Sequence, residues 1–214
     1  IPFNSLRAEL STVVFTGLDT TGHQLGWLFA LLASHPLIVD KLLEELRSNG
    51  LYGPDSRDVT FEDLGELTYL TAIIKEGMRI AFITNGSLLR IVPEDMTILG
   101  YRIPKNTLIS YPGTRPLGTK EEWGDPDVFR PERWLTDVDM STKYSIMFSF
   151  GPRDCIGQRF AMLEMRLAII KLFTRYDFTL RGNIHELLHN TKDGLVIEAK
   201  DGIWLNVKPR SVQM

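Results

Sequence analysis

Cys155 is the one cysteine among the 214 residues, and its surroundings give it the clearest potential for chemistry. It follows a Gly/Pro-containing loop at 148–154 and comes directly before a predicted helix. Unsatisfied N–H groups and the macrodipole at a helix N-terminus favour a thiolate, which is the form of cysteine that binds metal. Gly151 and Gly157 let other groups approach the sulfur closely, and Arg153 offers a forked donor for a carboxylate. The loop therefore predicts a metal-binding thiolate.

A lone cysteine is more often a small buried hydrophobe, so the surrounding spacing has to decide between these alternatives. The pattern Phe148-x-x-Gly151-x-Arg153-x-Cys155-x-Gly157 resembles, at every fixed position, the haem-binding signature of the cytochrome P-450 family. This resemblance implies haem b as cofactor, with Cys155 as the thiolate ligand of the iron. It also implies cofactor-binding roles for Phe148, Gly151, Arg153 and Gly157, with the Arg153 guanidinium facing a haem propionate.

The segment Asp19-Thr20-Thr21, shortly after Gly17, is a second candidate for chemistry within a long helical pattern. A threonine hydroxyl competes with backbone hydrogen bonding, and a nearby glycine leaves space beside a distorted turn. The segment resembles the oxygen-activation groove of the same family, although Thr16 stands where the family usually has Ala or Gly. The resemblance implies catalytic roles for Thr20 and Asp19 in delivering protons to dioxygen. A threonine-rich kink without chemistry is the alternative.

Glu76 and Arg79 lie three residues apart and therefore share one helix face. An ordinary surface pair of this kind contributes little to stability. In the family, such a pair is buried and joins the arginine of a later Pro-Glu-Arg segment, matched here by Arg133. The resemblance thus implies a structural network that supports the haem loop. Arg90 matches a propionate-binding arginine of the family, the alternative being a strand-edge side chain that faces solvent.

Composition limits the possible partners and compartments. A net charge of -3 offers no basic face for phosphate backbones, so no nucleic-acid partner is expected. No apolar run approaches 18 residues, so neither a signal peptide nor a spanning helix is predicted. Because the chain opens on Ile1-Pro2 without Met, we expect residues 1–214 to be the C-terminal part of a single haem-thiolate domain whose N-terminal part is missing. The resemblance implies attachment to the endoplasmic reticulum membrane through a missing N-terminal anchor.

Apolar periodicity and turn residues predict a mainly α fold with a minor β part, which the resemblance identifies as the C-terminal portion of the cytochrome P-450 fold. Residues 112–154 are predicted to be ordered but irregular, since they hold aromatic residues that a disordered linker lacks. The predicted helices cover 4–33 with a distortion near Gly17, 36–48, one or two segments between 60 and 79, and 156–173. The predicted strands cover 88–92, 96–99, 107–111, 195–199 and 203–207, and the last two form a hairpin across Lys200-Asp201-Gly202.

The resemblance implies a haem-thiolate monooxygenase that inserts one atom of dioxygen into a hydrophobic small molecule, with electrons from an NADPH-dependent reductase. Two alternatives stay open: a truncated, non-catalytic chain that cannot hold haem, and a haem-thiolate isomerase or dehydratase. Thr20 and Asp19 favour monooxygenation, since that chemistry needs proton delivery. Departures from the family pattern at 81–84 and 117–120 indicate a divergent member of the fungal secondary-metabolism type. Candidate pocket residues lie at 13–16, 81–89 and 200–202.

Overall fold

The computed structural model describes residues 2–84, 88–111, 120–136, 147–149, 151–192, 194 and 196–211. Helices dominate these ranges, so the predicted mainly α class is confirmed. The α-helices are α1 Phe3–Ala33, α2 Pro36–Ser48, α3 Asp63–Glu66, α4 Thr68–Ile80, α5 Lys120–Trp123, α6 Gln158–Phe173 and α7 Ile184–His189. Single 3-10 turns span Pro131–Leu135 and Gly151–Arg153.

The strands form small antiparallel pairs. They are β1 Leu88–Ile91, β2 Met96–Ile98, β3 Tyr101–Ile103, β4 Leu108–Tyr111, β5 Tyr176–Leu180, β6 Thr191–Lys192, β7 Glu198–Ala199 and β8 Leu205–Pro209. In the part of the chain that the structure describes, β1 pairs with β4, β2 with β3, β5 with β8, and β6 with β7.

The long helix α1 has two halves with different surroundings. Its second half, from Thr21 onward, is largely buried and includes Trp27 and Leu28. Its first half exposes apolar side chains such as Val13 and Leu18. Among the described residues no single helix is long and apolar enough to span a membrane, and α1 with α2 passes such a test only as a pair bent by 104°.

The predicted distortion near Gly17 is absent, because α1 continues as one helix across residues 17–22. The polar side chains in this region bond within the helix instead of breaking it. The hydroxyls of Thr12, Thr16 and Thr20 donate to carbonyls four residues earlier, at 2.9, 2.8 and 2.7 Å. Such bonds satisfy a threonine inside a helix and remove the competition that predicted the break.

The hydrophobic core is formed by the second half of α1 together with α2, α4 and α6. Helix α4 begins without a capping side chain of its own. Glu45 of α2 takes that role, since its carboxylate oxygens accept from the N–H groups of Tyr69 at 2.6 Å and Leu70 at 2.9 Å. A carboxylate at a helix N-terminus satisfies free donors and complements the helix dipole. Glu45 thereby fixes α2 to the helix that carries Glu76.

The predicted hairpin across residues 200–202 is wrong. The turn itself exists, with Gly202 at φ +78° and its N–H donating to the Ala199 carbonyl at 3.1 Å. The strands on either side take other partners, β7 pairing with β6 and β8 with β5. Phe178 of β5 packs against Phe29 and Phe173, with ring centroids 5.2 and 4.8 Å away. This aromatic cluster packs β5 on the core, and β8 pairs with β5 over five residues.

Candidate functional site

Cys155 lies in a short loop between the 3-10 turn Gly151–Arg153 and α6. Its N–H donates to the Phe148 carbonyl at 2.8 Å, which closes the loop, and its own carbonyl accepts from Gln158 at 3.2 Å. The α6 helix thus begins two residues later than predicted, and the cysteine precedes its first turn. The thiol is exposed.

The backbone of this loop depends on left-handed conformations. Gly151 has φ +77°, where a side chain would be strained, and Ser149 has φ +63°. Gly157 lies beside the sulfur, because a Cβ built on it would be 3.8 Å from Cys155 Sγ. Apolar side chains continue this surface, with Ile156 98% and Phe160 71% exposed. The sulfur is therefore exposed, with little steric cover from Gly157 and with exposed apolar side chains close to it in the sequence.

This donor set suits a haem iron. Within the described ranges, no cluster of three or more His, Cys, Asp or Glu side chains could hold a metal ion. A zinc site needs three or four protein ligands, whereas a porphyrin brings four nitrogens and needs one axial ligand from the protein. The exposed sulfur of Cys155 can supply one such ligand.

The two candidate propionate ligands are both exposed, and Arg153 ends the 3-10 turn beside the cysteine. Arg90 lies on β1 and donates from Nη1 to the carbonyl of Leu89 at 2.9 Å. In the described part of the chain, no hydrogen bond or ion pair joins Arg90 to the cysteine loop. The propionate-binding roles of both arginines remain predictions.

The candidate oxygen-activation segment lies midway along α1. Thr20 and Asp19 are both partly buried, and the Thr20 hydroxyl donates to the Thr16 carbonyl. No side-chain atom lies within 4 Å of where a Cβ would stand on Gly17 or on Gly22, so the helix is bare at these points. Helix α1 packs against α6, the helix that follows Cys155. The helices that adjoin the two predicted site segments thus pack on each other, but no described contact joins Thr20 to Cys155.

Glu76 is the centre of a buried charge network, as the resemblance implies. Its side chain is 0% exposed. It accepts from Arg79 Nε and Nη2, both at 2.9 Å, and from Arg133 Nε at 2.8 Å. Trp134 Nε1 adds a further bond at 2.8 Å, and the Arg130 N–H another at 3.0 Å. One carboxylate thus organises four donor groups from two segments, α4 and residues 130–134.

The two arginines of this network also hold the adjoining loop. Arg79 donates to the carbonyls of Pro126 at 2.6 Å and Val128 at 3.2 Å, and Arg133 donates to that of Trp123 at 3.0 Å. Both guanidinium groups lie near the Trp123 ring, 5.0 and 5.4 Å from its centroid. This geometry assigns the network a scaffolding role.

Sequence reasoning missed His23, which bridges Asp19 to Glu198 in the C-terminal strands. Its Nδ1 is 2.7 Å from the Asp19 carbonyl oxygen, and its Nε2 is 3.2 Å from Glu198 Oε2. The helical spacing of four residues signals the first contact. The second joins residues 175 apart and has no signal in the sequence.

Comparison with known proteins agrees with the fold. The family model described as Cytochrome P-450 matches residues 2–205. The chain is 35% identical to Cytochrome P-450 4d2 of Drosophila melanogaster over 96% of its length. It is 35% identical to Cytochrome P-450 monooxygenase hepC of Aspergillus oryzae over 94%, and 33% identical to human Cytochrome P-450 4V2 over 96%.

The chain belongs to the cytochrome P-450 family. It spans 40%, 40% and 39% of the lengths of these three relatives. Fungal monooxygenases occur among the relatives beside proteins of insects and mammals, so the fungal type of this chain remains a prediction.

Proposed function

We propose that this chain carries the cysteine ligand of a haem-thiolate monooxygenase. Such an enzyme inserts one oxygen atom of dioxygen into a hydrophobic small molecule. The exposed sulfur of Cys155, beside Gly157 and close in sequence to the exposed Ile156 and Phe160, is the observation that carries the proposal. Electrons would come from an NADPH-dependent reductase. Attachment to the endoplasmic reticulum membrane remains a prediction from the family resemblance.

Each predicted site residue takes one role in this proposal. Cys155 would bind the iron, Arg153 and Arg90 would hold the propionates, and the carbonyl of Phe148 holds the loop closed. Haem b bound at this sulfur would supply the reductive activation of dioxygen. The protein itself contributes proton delivery. In this role the Thr20 hydroxyl holds a water molecule, and Asp19 is the acid that supplies the proton.

We further propose that residues 1–214 act as one part of a single haem-thiolate domain. The support is the exposed apolar side of α1, where Phe15 and Leu18 have no cover among the described residues. Apolar surface of this extent is normally covered in a folded protein. Candidate pocket residues at 13–16 lie on the same half of the helix.

The test of the proposed function is the reduced, CO-bound Soret spectrum of the complete holoprotein. We expect a thiolate-type band that disappears in Cys155→Ser. Cys155→His is the matched variant, since it keeps a side-chain ligand for iron but removes the sulfur, and it should bind haem without that band. An unchanged thiolate-type band in either variant would refute the role of Cys155. Turnover that needs no dioxygen would replace the monooxygenase proposal with an isomerase or dehydratase.

A further inference from the structure

A chain of polar contacts runs from Asp19 on α1 to the C-terminal strands. His23, one turn beyond Asp19, places Nδ1 at 2.7 Å from the Asp19 carbonyl oxygen and 3.5 Å from its Oδ1. Its Nε2 lies 3.2 Å from Glu198 Oε2 on β7. The other oxygen of that carboxylate accepts from Lys192 Nζ on β6 at 2.9 Å.

Every atom that faces the His23 ring in these contacts is an acceptor. A peptide carbonyl and an ionised carboxylate cannot donate, and a neutral imidazole donates from only one of its nitrogens. Both contacts are therefore hydrogen bonds only when both ring nitrogens carry protons. Hydrogen bonds from Lys192 and His23 hold the pKa of Glu198 below its usual range, so Glu198 serves as the acceptor.

An open cavity of about 440 Å³ separates this part of α1 from residues 198–203. Asp19, Gly22 and His23 line it from the helix, and Glu198 and Gly202 line it from the opposite side. His23 is 32% exposed, so solvent reaches the ring. Water in this cavity can return a proton to the imidazole without passing through the apolar core.

We propose that His23 is a relay residue that passes protons from this cavity to Asp19. The inference rests on the proposed function, in which Asp19 is the acid that supplies protons to the oxygen-activation groove at Thr20. In the relay step the Nδ1–H bond of the imidazolium breaks and an O–H bond forms on Asp19 Oδ1. The neutral ring keeps its proton on Nε2, facing Glu198, and regains the other from water.

The functional test measures product and hydrogen peroxide against nicotinamide oxidation in the holoenzyme. His23→Phe should lower product per electron about threefold to tenfold, less than the ~10²-fold effect typical of losing a general acid itself. His23→Arg can contact both carboxylates but does not release a proton, so it should be equally impaired. The matched control is His189→Phe, because the His189 ring makes the same 2.7 Å contact to a carbonyl four residues earlier. Wild-type coupling in His23→Phe or His23→Arg would overturn the relay.

Two further measurements separate this inference from the proposed function. ¹⁵N NMR should show protons on both ring nitrogens of His23 under assay conditions, and a neutral ring there would overturn the inference without reference to activity. Asp19→Asn combined with His23→Phe should be no worse than Asp19→Asn alone, because His23 acts through Asp19. If Asp19→Asn itself left coupling unchanged, the proton-delivery part of the proposed function would fail. If Asp19→Asn lowered coupling and His23→Phe did not, only the relay would fail.

Discussion

Arg133 Nε donates to Glu76 Oε1 at 2.8 Å across 57 residues of sequence, and neither side chain is more than 6% exposed. The same carboxylate holds Arg79. A buried carboxylate that neutralises two guanidinium groups cannot be removed without leaving unpaired charge.

Glu76→Ala should therefore lower the free energy of unfolding by ~3–5 kcal/mol, as expected when one partner of a buried charge network is lost. Arg133→Ala should have a similar effect, and both variants should accumulate less folded holoprotein than the wild type. Glu44→Ala is the matched control, since its pair with Arg47 is exposed and contributes about 0–1 kcal/mol. Urea unfolding measures the differences. A Glu76 variant of normal stability, loaded with haem but slow, would indicate a catalytic role instead.

A second expectation concerns the contact between α4 and α1 at Gly77. A Cβ on this residue would overlap the Leu28 side chain, with Leu28 Cγ only 3.3 Å away. Overpacking of a core costs ~1–3 kcal/mol, more than the ~1 kcal/mol that Ala gains over Gly in a helix. Gly77→Ala should thus destabilise the protein. Gly65→Ala in α3, which meets nothing within 4 Å, should be neutral or stabilising. If the cost of Gly77→Ala persisted in a Leu28→Ala background, steric overlap would not be its cause.

Local signals in the sequence were sufficient for several elements. Pro36 at the first turn and Asn49-Gly50 at the end predicted the bounds of α2. Thr60 and Asp63 form the predicted reciprocal bonds, 2.7 Å from the Thr60 N–H to Asp63 Oδ2 and 3.4 Å from the Asp63 N–H to the Thr60 hydroxyl. These features depend on residues within a few positions of one another.

Features that depend on distant residues were not predictable in the same way. The sequence predicts only a connection between the strands at 96–99 and 107–111, so β3 is missed. Leu99 and Gly100 have positive φ, 50° and 84°, as the tight turn of the β2–β3 hairpin requires. The pairing of β8 with β5 is set by packing of Phe178 on the core. Likewise, the cap that Glu45 provides for α4 and the bridge from His23 to Glu198 join segments whose separation only the fold determines.

The acid sensitivity of the α3 region should depend on Asp63. Its carboxylate accepts from Arg57 at 2.6 Å through both oxygens and from the Thr60 N–H, and these bonds lower the pKa of Asp63 well below its usual range. A carboxyl whose pKa is lower in the folded than in the unfolded protein stabilises the fold at a pH above its unfolded-state pKa. That stabilisation is lost as the pH falls toward the folded-state pKa. Asp63→Asn should therefore lower the urea midpoint at pH 7.

The difference between Asp63→Asn and the wild type should shrink below about pH 3.8, the ordinary value for this carboxyl. Arg57→Gln should give the same pH profile, and the double variant should add little, because both changes remove one interaction. A midpoint difference that stays constant from pH 7 to pH 3 would contradict the ion-pair explanation.

Haem uptake by the 214-residue chain alone should be weak. Ile156 and Phe160 beside Cys155 are exposed, as is much of the first half of α1, so the described residues cover only part of a macrocycle. Exposed apolar surface of this kind also favours aggregation. Titration of the purified chain with haem, followed by absorbance and sedimentation, measures both effects. Stoichiometric uptake with cooperative unfolding would refute the proposal that residues 1–214 act as one part of a larger haem-binding domain.

Thr20→Ala should change how electrons are used while leaving the scaffold intact. The Thr20 hydroxyl donates to the Thr16 carbonyl at 2.7 Å, so its oxygen is held in place with lone pairs available to accept a hydrogen bond from water. A methyl group holds no water, and alanine is the better helix former, so stability and haem content should be maintained. Product per electron should fall while hydrogen peroxide rises, because no ordered water delivers protons at this position. Thr20→Ser is the matched variant, since it keeps the hydroxyl and should keep most of the coupling. If Thr20→Ala altered stability but left coupling unchanged, Thr20 would serve only the helix.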